Sequence, residues 1–439
     1  MKTDTKKIRA LFVGEAVTAA HVIRPLGLAR EMDRSRYDTV MACDRRCKGM
    51  VEAENVAWRE LPSIANDVFT KRLMQGTPLY TLAELDAYVR DDLKLIGDVR
   101  PDVIVGDFRI SMSLAAKWSG IPYWALSNAH WSPAARLPMP TPDHTLIGLL
   151  GVQGWRCLLK ATLPFFLAWQ ARAYNKLCRR YGIEPVRGQG APEVYTRGAR
   201  TLYLDMASLY PEIEFGANET CIGPVLWAPC PALPAWWDLI PQDKPVAFMS
   251  AGSSGSVSAM RQAITAVAGM GYTVLAATAG KMKAAELPSG VYAANFLPGL
   301  QAAARSDLVV CNGGSGLVYQ ALAHGKPVLG IPTNMDQWYV MEAVGRQGAG
   351  AILRTNAVSE RLVRQTVTDL LENTDYRVAA QRMARELAAR NPAEQLQRMI
   401  RATLENGSER GPSNAPVRMP DRTRWSRQVP GSAGLSLCE

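Results

Sequence analysis

The sequence predicts an α/β protein made of two parallel-sheet domains that face each other across a cleft, with helix at the C-terminal end. Three observations carry that expectation. Short apolar runs alternate with small-residue loops and amphipathic stretches, the pattern of parallel strands joined by crossover helices. The 439 residues exceed one ordinary domain and suffice for two separate cores. Between the halves the texture changes, with prolines at 224, 229, 231, 234, 241 and 245 among Trp227, Trp236 and Trp237. Prolines stiffen a linker, and the tryptophans imply that it packs on a domain.

In the first half, residues 8–13 read as a strand, 14–20 as a loop, and the stretch to 30 as an amphipathic helix. Strands are expected at 37–42, 102–106 and 121–126, with a helix at 111–118. The second half repeats the idiom: strand 246–250, a glycine-serine loop at 251–256, helix 257–268, strand 272–277. Strand 307–311, a glycine loop, helix 317–324 and strand 328–331 follow, with Gly325 and Pro327 as stop signals. The domains are thus 1–222 and 246–374, joined by a linker at 223–245. Residues 375–405 read as helix, and 406–439, rich in Gly, Pro, Ser and Arg, as a disordered tail.

Composition narrows the function. Hydrophobic residues make up 48% and charged residues 21%, which suits a globular protein. The net charge of +10 suits phosphate-bearing ligands or an anionic membrane surface. No run of Lys and Arg and no zinc-finger spacing stands out, so no nucleic-acid partner is expected. The 8 cysteines form no paired framework, as expected of reduced thiols in a cytoplasmic protein. The N-terminus lacks a signal peptide's apolar stretch, and no run is long enough for a transmembrane helix. Residues 146–174 are strongly apolar with interspersed cations. They read as an apolar acceptor pocket, a buried helix pair, or an amphipathic patch in peripheral contact with a membrane.

The richest motif is CNGGSGLVYQALAHGKPVLGIPTNMDQ, residues 311–337. Asn312 to Gly316 form a loop between a strand and a helix. Glycines let the backbone approach an anion, and the free N–H groups at the helix start point at it, so a diphosphate is the expected guest. Gln320 comes back to the same side about one turn on. Asp336 and Gln337 are expected on a loop at the same sheet edge. There a carboxylate beside an amide can grip vicinal hydroxyls.

In the first half, His21 is expected just ahead of a helix whose first turn can hold Pro25. The helix dipole biases a histidine at such an end toward its neutral form, which a general base requires. Asp107 ends a neighbouring strand. Asn128, His130 and Trp131 lie in a loop after strand 121–126, where an acceptor would bind. His144 is a secondary candidate, and His324, ending a helix, reads as structural.

Residues 311–337 resemble the donor signature of glycosyltransferase family 1, the UDP-glycosyltransferases and their bacterial antibiotic-tailoring relatives. The order of elements resembles that family up to about residue 404. The resemblance implies a GT-B fold, two Rossmann-like domains with a nucleotide sugar bound by the second. It implies that Asn312, Gly313, Gly314 and Ser315 contact the phosphates, and that Asp336 and Gln337 hold the donor sugar. Ser253, Ser254 and Gly255 match a loop beside the diphosphate. Phe296 and Pro298 match the stretch along which the base stacks, and Gln320 the position on ribose. It further implies His21 as general base with Asp107 orienting its ring, and inversion by one in-line displacement. There are departures: Asn312 stands where the family commonly has histidine, Gln320 for glutamate, Leu317 for threonine and Gly299 for glutamine. These leave the nucleotide open, with UDP the default and dTDP the alternative. No Asp-x-Asp motif occurs, so neither a metal nor a cofactor beyond the nucleotide sugar is expected. The acceptor and oligomeric state are left open. Rival readings are a lipid-linked cell-wall glycosyltransferase, a nucleotide-sugar epimerase, or a catalytically inactive nucleotide-sugar-binding protein.

Overall fold

The computed structural model describes residues 7–188, 190–229 and 232–405; the tail at 406–439 lies outside the described residues. The first half runs β1 (Ile8–Gly14), α1 (Ala20–Arg30), β2 (Tyr37–Cys43), α2 (Lys48–Ala53), β3 (Ala57–Glu60), α3 (Asn66–Met74), α4 (Leu82–Val99) and β4 (Val103–Asp107). It continues through α5 (Met112–Ser119), β5 (Tyr123–Ser127), α6 (Ile147–Gln170), α7 (Arg172–Arg180), α8 (Ala191–Tyr195), β6 (Arg200–Tyr203) and β7 (Glu219–Cys221). The second half runs β8 (Val246–Ser250), α9 (Val257–Ala268), β9 (Thr273–Ala277), β10 (Val291–Ala294), α10 (Gly299–Arg305), β11 (Leu308–Cys311), α11 (Ser315–Ala323), β12 (Val328–Gly330) and α12 (Met335–Arg346). It closes with β13 (Gly350–Ile352), α13 (Glu360–Glu372), α14 (Thr374–Ala388) and α15 (Pro392–Glu405).

The strands form two sheets, ordered β3-β2-β1-β4-β5-β6-β7 and β10-β9-β8-β11-β12-β13. All pairings are parallel. Central strands such as β4 and β8 are buried throughout, as continuous apolar runs covered on both faces must be. In each sheet the strand order reverses once, between β1 and β4 and between β8 and β11. At such reversals the loops part and leave a crevice beyond the strand ends. Register puts Gly14 beside Asp107 at one crevice and Ser250 beside Cys311 at the other.

The C-terminal helices return to the first domain. The C-terminal segment forms two helices, α14 and α15, because Pro392 restricts the residue before it and starts a new helix. Leu396 and Ile400 of α15 join the core built on β1 and α1. Gln397 secures the join, accepting from the Asp33 N–H at 3.1 Å and donating to the Glu31 carbonyl at 3.2 Å.

Helix α6 is no buried helix: none of its residues is buried. Among the described residues no helix is long and apolar enough to cross a membrane.

A buried ion cluster pins the turn after β4. Arg109 donates from Nη1 to Glu15 at 2.9 Å and from Nε to Asp92 at 3.0 Å, all three side chains being closed to solvent. Ser111 donates to the other Asp92 oxygen at 2.5 Å. Two carboxylates share one guanidinium, and burial pushes the Asp92 carboxyl up to about 6 despite Arg109 and Ser111. A carboxyl raised on folding contributes stability that is fully present below its ordinary 3.8 and is lost as pH rises through about 6. Asp92→Asn is therefore expected to flatten the pH dependence of stability across that window, by roughly 2–3 kcal/mol in all. Urea melts of both proteins at several pH values check this; parallel profiles would refute it.

Candidate active site

The first crevice holds the base candidate. Helix α1 begins at Ala20, so His21 lies inside its first turn rather than ahead of it, and Pro25 lies in the second turn. Pro25 has no N–H to give to the carbonyl of His21, four residues back. Gly14 lets the helix come close, since a Cβ there would stand 2.7 Å from that same carbonyl oxygen. The His21 ring thereby reaches the end of β4, with Nδ1 2.8 Å from Asp107 Oδ1 and 3.2 Å from Arg24 Nη2. A carboxylate opposite Nδ1 makes it the protonated nitrogen and leaves Nε2 with the lone pair. The ring also stacks on Phe108, centroids 4.5 Å apart. Phe108 sits at φ 59°, a left-handed conformation costing about 1–2 kcal/mol outside glycine. Phe69 and Tyr195 hold it from two further sides.

Arg24, one turn beyond His21, was not singled out in the sequence. Its guanidinium grips Asp107 as a fork, Nε to Oδ2 at 2.6 Å and Nη2 to Oδ1 at 2.7 Å. Burial alone would raise the Asp107 carboxyl, but Arg24 and then His21 outweigh it and hold it below its ordinary value. Asp107 is therefore an anion at neutral pH, and it contributes stability that is lost as pH falls through that lowered value.

The second crevice holds the donor candidates. Gly313 has φ 81°, and a Cβ there would meet Met341 Cγ at 2.6 Å, so this position needs glycine. Helix α11 starts at Ser315, two residues earlier than expected, with no side-chain cap and no acidic residue in its first turn. Its N–H groups are the open positive end of a dipole. Three loops converge here. Asn312 Oδ1 accepts from Gly314 N at 3.2 Å, and Gln337 Nε2 donates to Ser254 Oγ at 2.9 Å. Gly255 lets the β8–α9 turn close, since a Cβ would meet Asn312 Cβ at 2.8 Å. The carbonyl of Ser253 accepts from Lys281 at 2.6 Å, a cation the sequence did not single out. Phe296 is 69% exposed two residues before Pro298, which stands at the N-cap of α10. Gln320 is buried; it donates to the Leu226 carbonyl at 3.2 Å and fills the space that Gly299 leaves.

Asp336 and Gln337 lie in the first turn of α12, not on a loop, because Asn334 caps the helix by accepting from the Gln337 N–H. Asp336 reaches across the domain junction. It accepts from His130 Nε2 at 2.8 Å and Trp131 Nε1 at 3.0 Å. Burial opposes its ionisation, but His130, Trp131 and Arg24 hold the carboxyl well below its ordinary value. His130 is closed off from solvent, stacked on Tyr339 and bonded to Tyr210 at 3.2 Å. It therefore joins the domains and does not line an open acceptor surface. Trp131 packs edge-on against Tyr195 and so extends the aromatic wall that begins at His21 and Phe108. His144 stacks on Trp155, and His324 follows the end of α11.

A buried carboxylate, Asp205, completes the junction. Asn128 accepts from Arg24 Nη1 at 2.7 Å and donates to Asp205. Asp205 in turn accepts from the Tyr319 hydroxyl of α11 at 2.6 Å. Hydrogen bonds thus run unbroken from His21 through Asp107, Arg24, Asn128 and Asp205 to the donor-side helix. Arg24 had a faint sequence signal, being three residues from His21 on one helix face. Asp205 and Tyr319 had none.

Comparison with known proteins places this geometry. Residues 262–402 match the family model of the erythromycin biosynthesis protein CIII-like C-terminal domain. The chain is 40% identical over 379 residues to the PGL/p-HBAD biosynthesis rhamnosyltransferase of Mycobacterium bovis (strain BCG / Pasteur 1173P2), covering 86% of this chain and 84% of that one. The calicheamicin glycosyltransferase CalG4 superposes with a TM-score of 0.67 at 21% identity, over 91% of this chain and 99% of that one. The spinosyn rhamnosyltransferase SpnG complexed with thymidine diphosphate does so with a TM-score of 0.66 at 17% identity, over 89% and 100%. The two parallel-sheet domains are those of the GT-B fold. The chain belongs to the glycosyltransferase family that includes the PGL/p-HBAD biosynthesis rhamnosyltransferases, and it is a glycosyltransferase.

Proposed function

We propose that the enzyme is an inverting, metal-independent glycosyltransferase of family 1, moving a sugar from a nucleoside diphosphate to an acceptor hydroxyl. One observation carries the reading. His21 is held by Asp107 through Nδ1 with Nε2 free of protein partners among the described residues, and its hydrogen-bond chain ends on α11, whose uncapped N-terminus suits a diphosphate. His21 Nε2 takes the proton from the acceptor hydroxyl as its oxygen attacks the anomeric carbon. The bond from that carbon to the diphosphate oxygen breaks on the opposite face, which inverts the centre. The proton stays on the imidazolium, stabilised by the Asp107 anion, and the leaving diphosphate meets the helix dipole and the N–H groups of residues 315–317, which open α11. Gln337 and Asp336, adjacent at the start of α12, are assigned to the donor sugar on the family resemblance. A thymidine nucleotide is favoured over uridine by the spinosyn enzyme's bound thymidine diphosphate, and a rhamnosyl donor by the 40%-identical relative's name.

The test is calorimetric titration of dTDP- and UDP-sugars, followed by NMR of the product's anomeric centre with and without a chelator. Binding of one nucleotide class, an inverted centre and a rate indifferent to chelator are expected. A retained centre or a chelated, inactive enzyme would overturn the mechanism.

A further inference from the structure

Apolar surface on this molecule is concentrated. Seven of the thirteen exposed large apolar side chains of the described residues fall on α6 and the end of α3, so they form a patch and not a scatter. They are Leu149, Leu150, Leu158, Phe165 and Trp169 of α6 with Leu73 and Met74 of α3. The two helices are neighbours, since a Cβ at Gly76 would lie 3.8 Å from Phe166. Leu149 and Phe165 are 80% and 79% exposed, values no core helix shows. Gly151, at φ 66°, breaks the helix and sets Leu149 and Leu150 on a separate leading turn.

The polar side of the same segment is uniformly cationic. Residues 144–183 contain Arg156, Lys160, Arg172, Lys176, Arg179 and Arg180 and no Asp or Glu. On α6, Leu158, Phe165 and Trp169 follow at spacings that share one helix flank, and Arg156 and Lys160 share another. On α7, Tyr174, Leu177 and Cys178 are buried while Arg172, Lys176 and Arg179 face outward. Arg180 turns onto Asp86 of α4 at 3.2 Å, but a Trp–Phe–Leu flank beside Arg156, Lys160, Arg172, Lys176 and Arg179 is the chemistry of a helix lying in an anionic membrane surface. A protein partner would have to bring both an apolar groove and a ring of acids; a bilayer with anionic headgroups offers both by composition.

We propose that α6 docks on an anionic bilayer, with Leu158, Phe165 and Trp169 at the headgroup–acyl boundary and Lys160, Arg172 and Lys176 against lipid phosphates. The inference does not depend on which sugar or acceptor the active site takes. Its test is co-sedimentation of the full chain with phosphatidylcholine vesicles that contain or lack phosphatidylglycerol. Binding is expected on the anionic vesicles, weakening with added salt, and falling by roughly tenfold or more with Lys160→Glu/Arg172→Glu. Leu158→Ser/Phe165→Ser is expected to reduce it by a similar factor. Both variants should transfer sugar to a soluble acceptor at the parental rate, since none of these residues touches the candidate site. Failure of the parent to bind anionic vesicles, or variants that bind as it does, would overturn the proposal. So would light scattering that finds a dimer dissolved by Leu158→Ser/Phe165→Ser, which would make a second copy the occupant.

Discussion

His21→Ala is expected to reduce sugar transfer by about 10²–10⁴-fold while nucleotide affinity changes by less than about twofold. The nitrogen proposed to accept the proton is removed, whereas the loops at Asn312 to Ser315 lie on the other domain and keep their geometry. Asp107→Asn separates two contributions. Asparagine can still bridge Arg24 and His21 by hydrogen bonds, but the anion that balances the imidazolium is gone. A large fall in kcat with a smaller change in KM is therefore expected. The same substitution leaves the buried Arg24 guanidinium without a charge partner, which costs about 3–5 kcal/mol when a buried pair is broken. Thermal melts must therefore accompany the kinetics. A His21→Ala protein that melts like the parent and transfers sugar normally would remove His21 from the mechanism.

Gly313→Ala is expected to do its damage on the donor side. The left-handed backbone alone costs about 1–2 kcal/mol with a Cβ. The new methyl would lie 2.6 Å from Met341 Cγ and 3.1 Å from the Gln337 carbonyl, so the loop or α12 must shift. Because that loop leads into the α11 N-terminus proposed as the diphosphate seat, affinity for a nucleoside diphosphate should fall at least roughly tenfold. Gly97→Ala is the control. It lies in α4 with nothing within 4 Å of its Cβ position, and the change should be neutral or slightly stabilising. Calorimetry and melting curves on both variants decide it; parental affinity in Gly313→Ala would mean the phosphates sit elsewhere.

Much of the donor half was legible because its signals are local. Gly313 and the Gly–Lys–Pro turn each act within a few residues, and the alternation of apolar runs marks the central strands; the Asn334 cap, equally local, went unread. The short strands β3, β6, β7, β10 and β13, three or four residues each, were not legible. Segments so short carry little periodicity and owe their shape to the neighbour they pair with. Arg24 escaped for a related reason: an arginine on an amphipathic helix ordinarily faces solvent. Only the parallel pairing of β1 with β4 puts a buried carboxylate under it. His130 shows the same limit: its place after strand 121–126 points to an acceptor, and only the fold closes Asp336 and Tyr339 of the second domain over its ring.

The sequence alone determined the two parallel sheets and the glycine loop fit for an anion, which follow from steric and periodic rules that operate over one or two elements. The pairing of His21 with Asp107 entered only through the family resemblance. Tertiary structure decided that α6 stays on the surface, that His130 and Trp131 clasp Asp336, and that Asp205 and Tyr319 join the two halves. The reason is burial: which face of a helix loses water, and which carboxylate gains a partner, depends on elements distant in sequence. Composition cannot distinguish an apolar helix that is covered from one that is not.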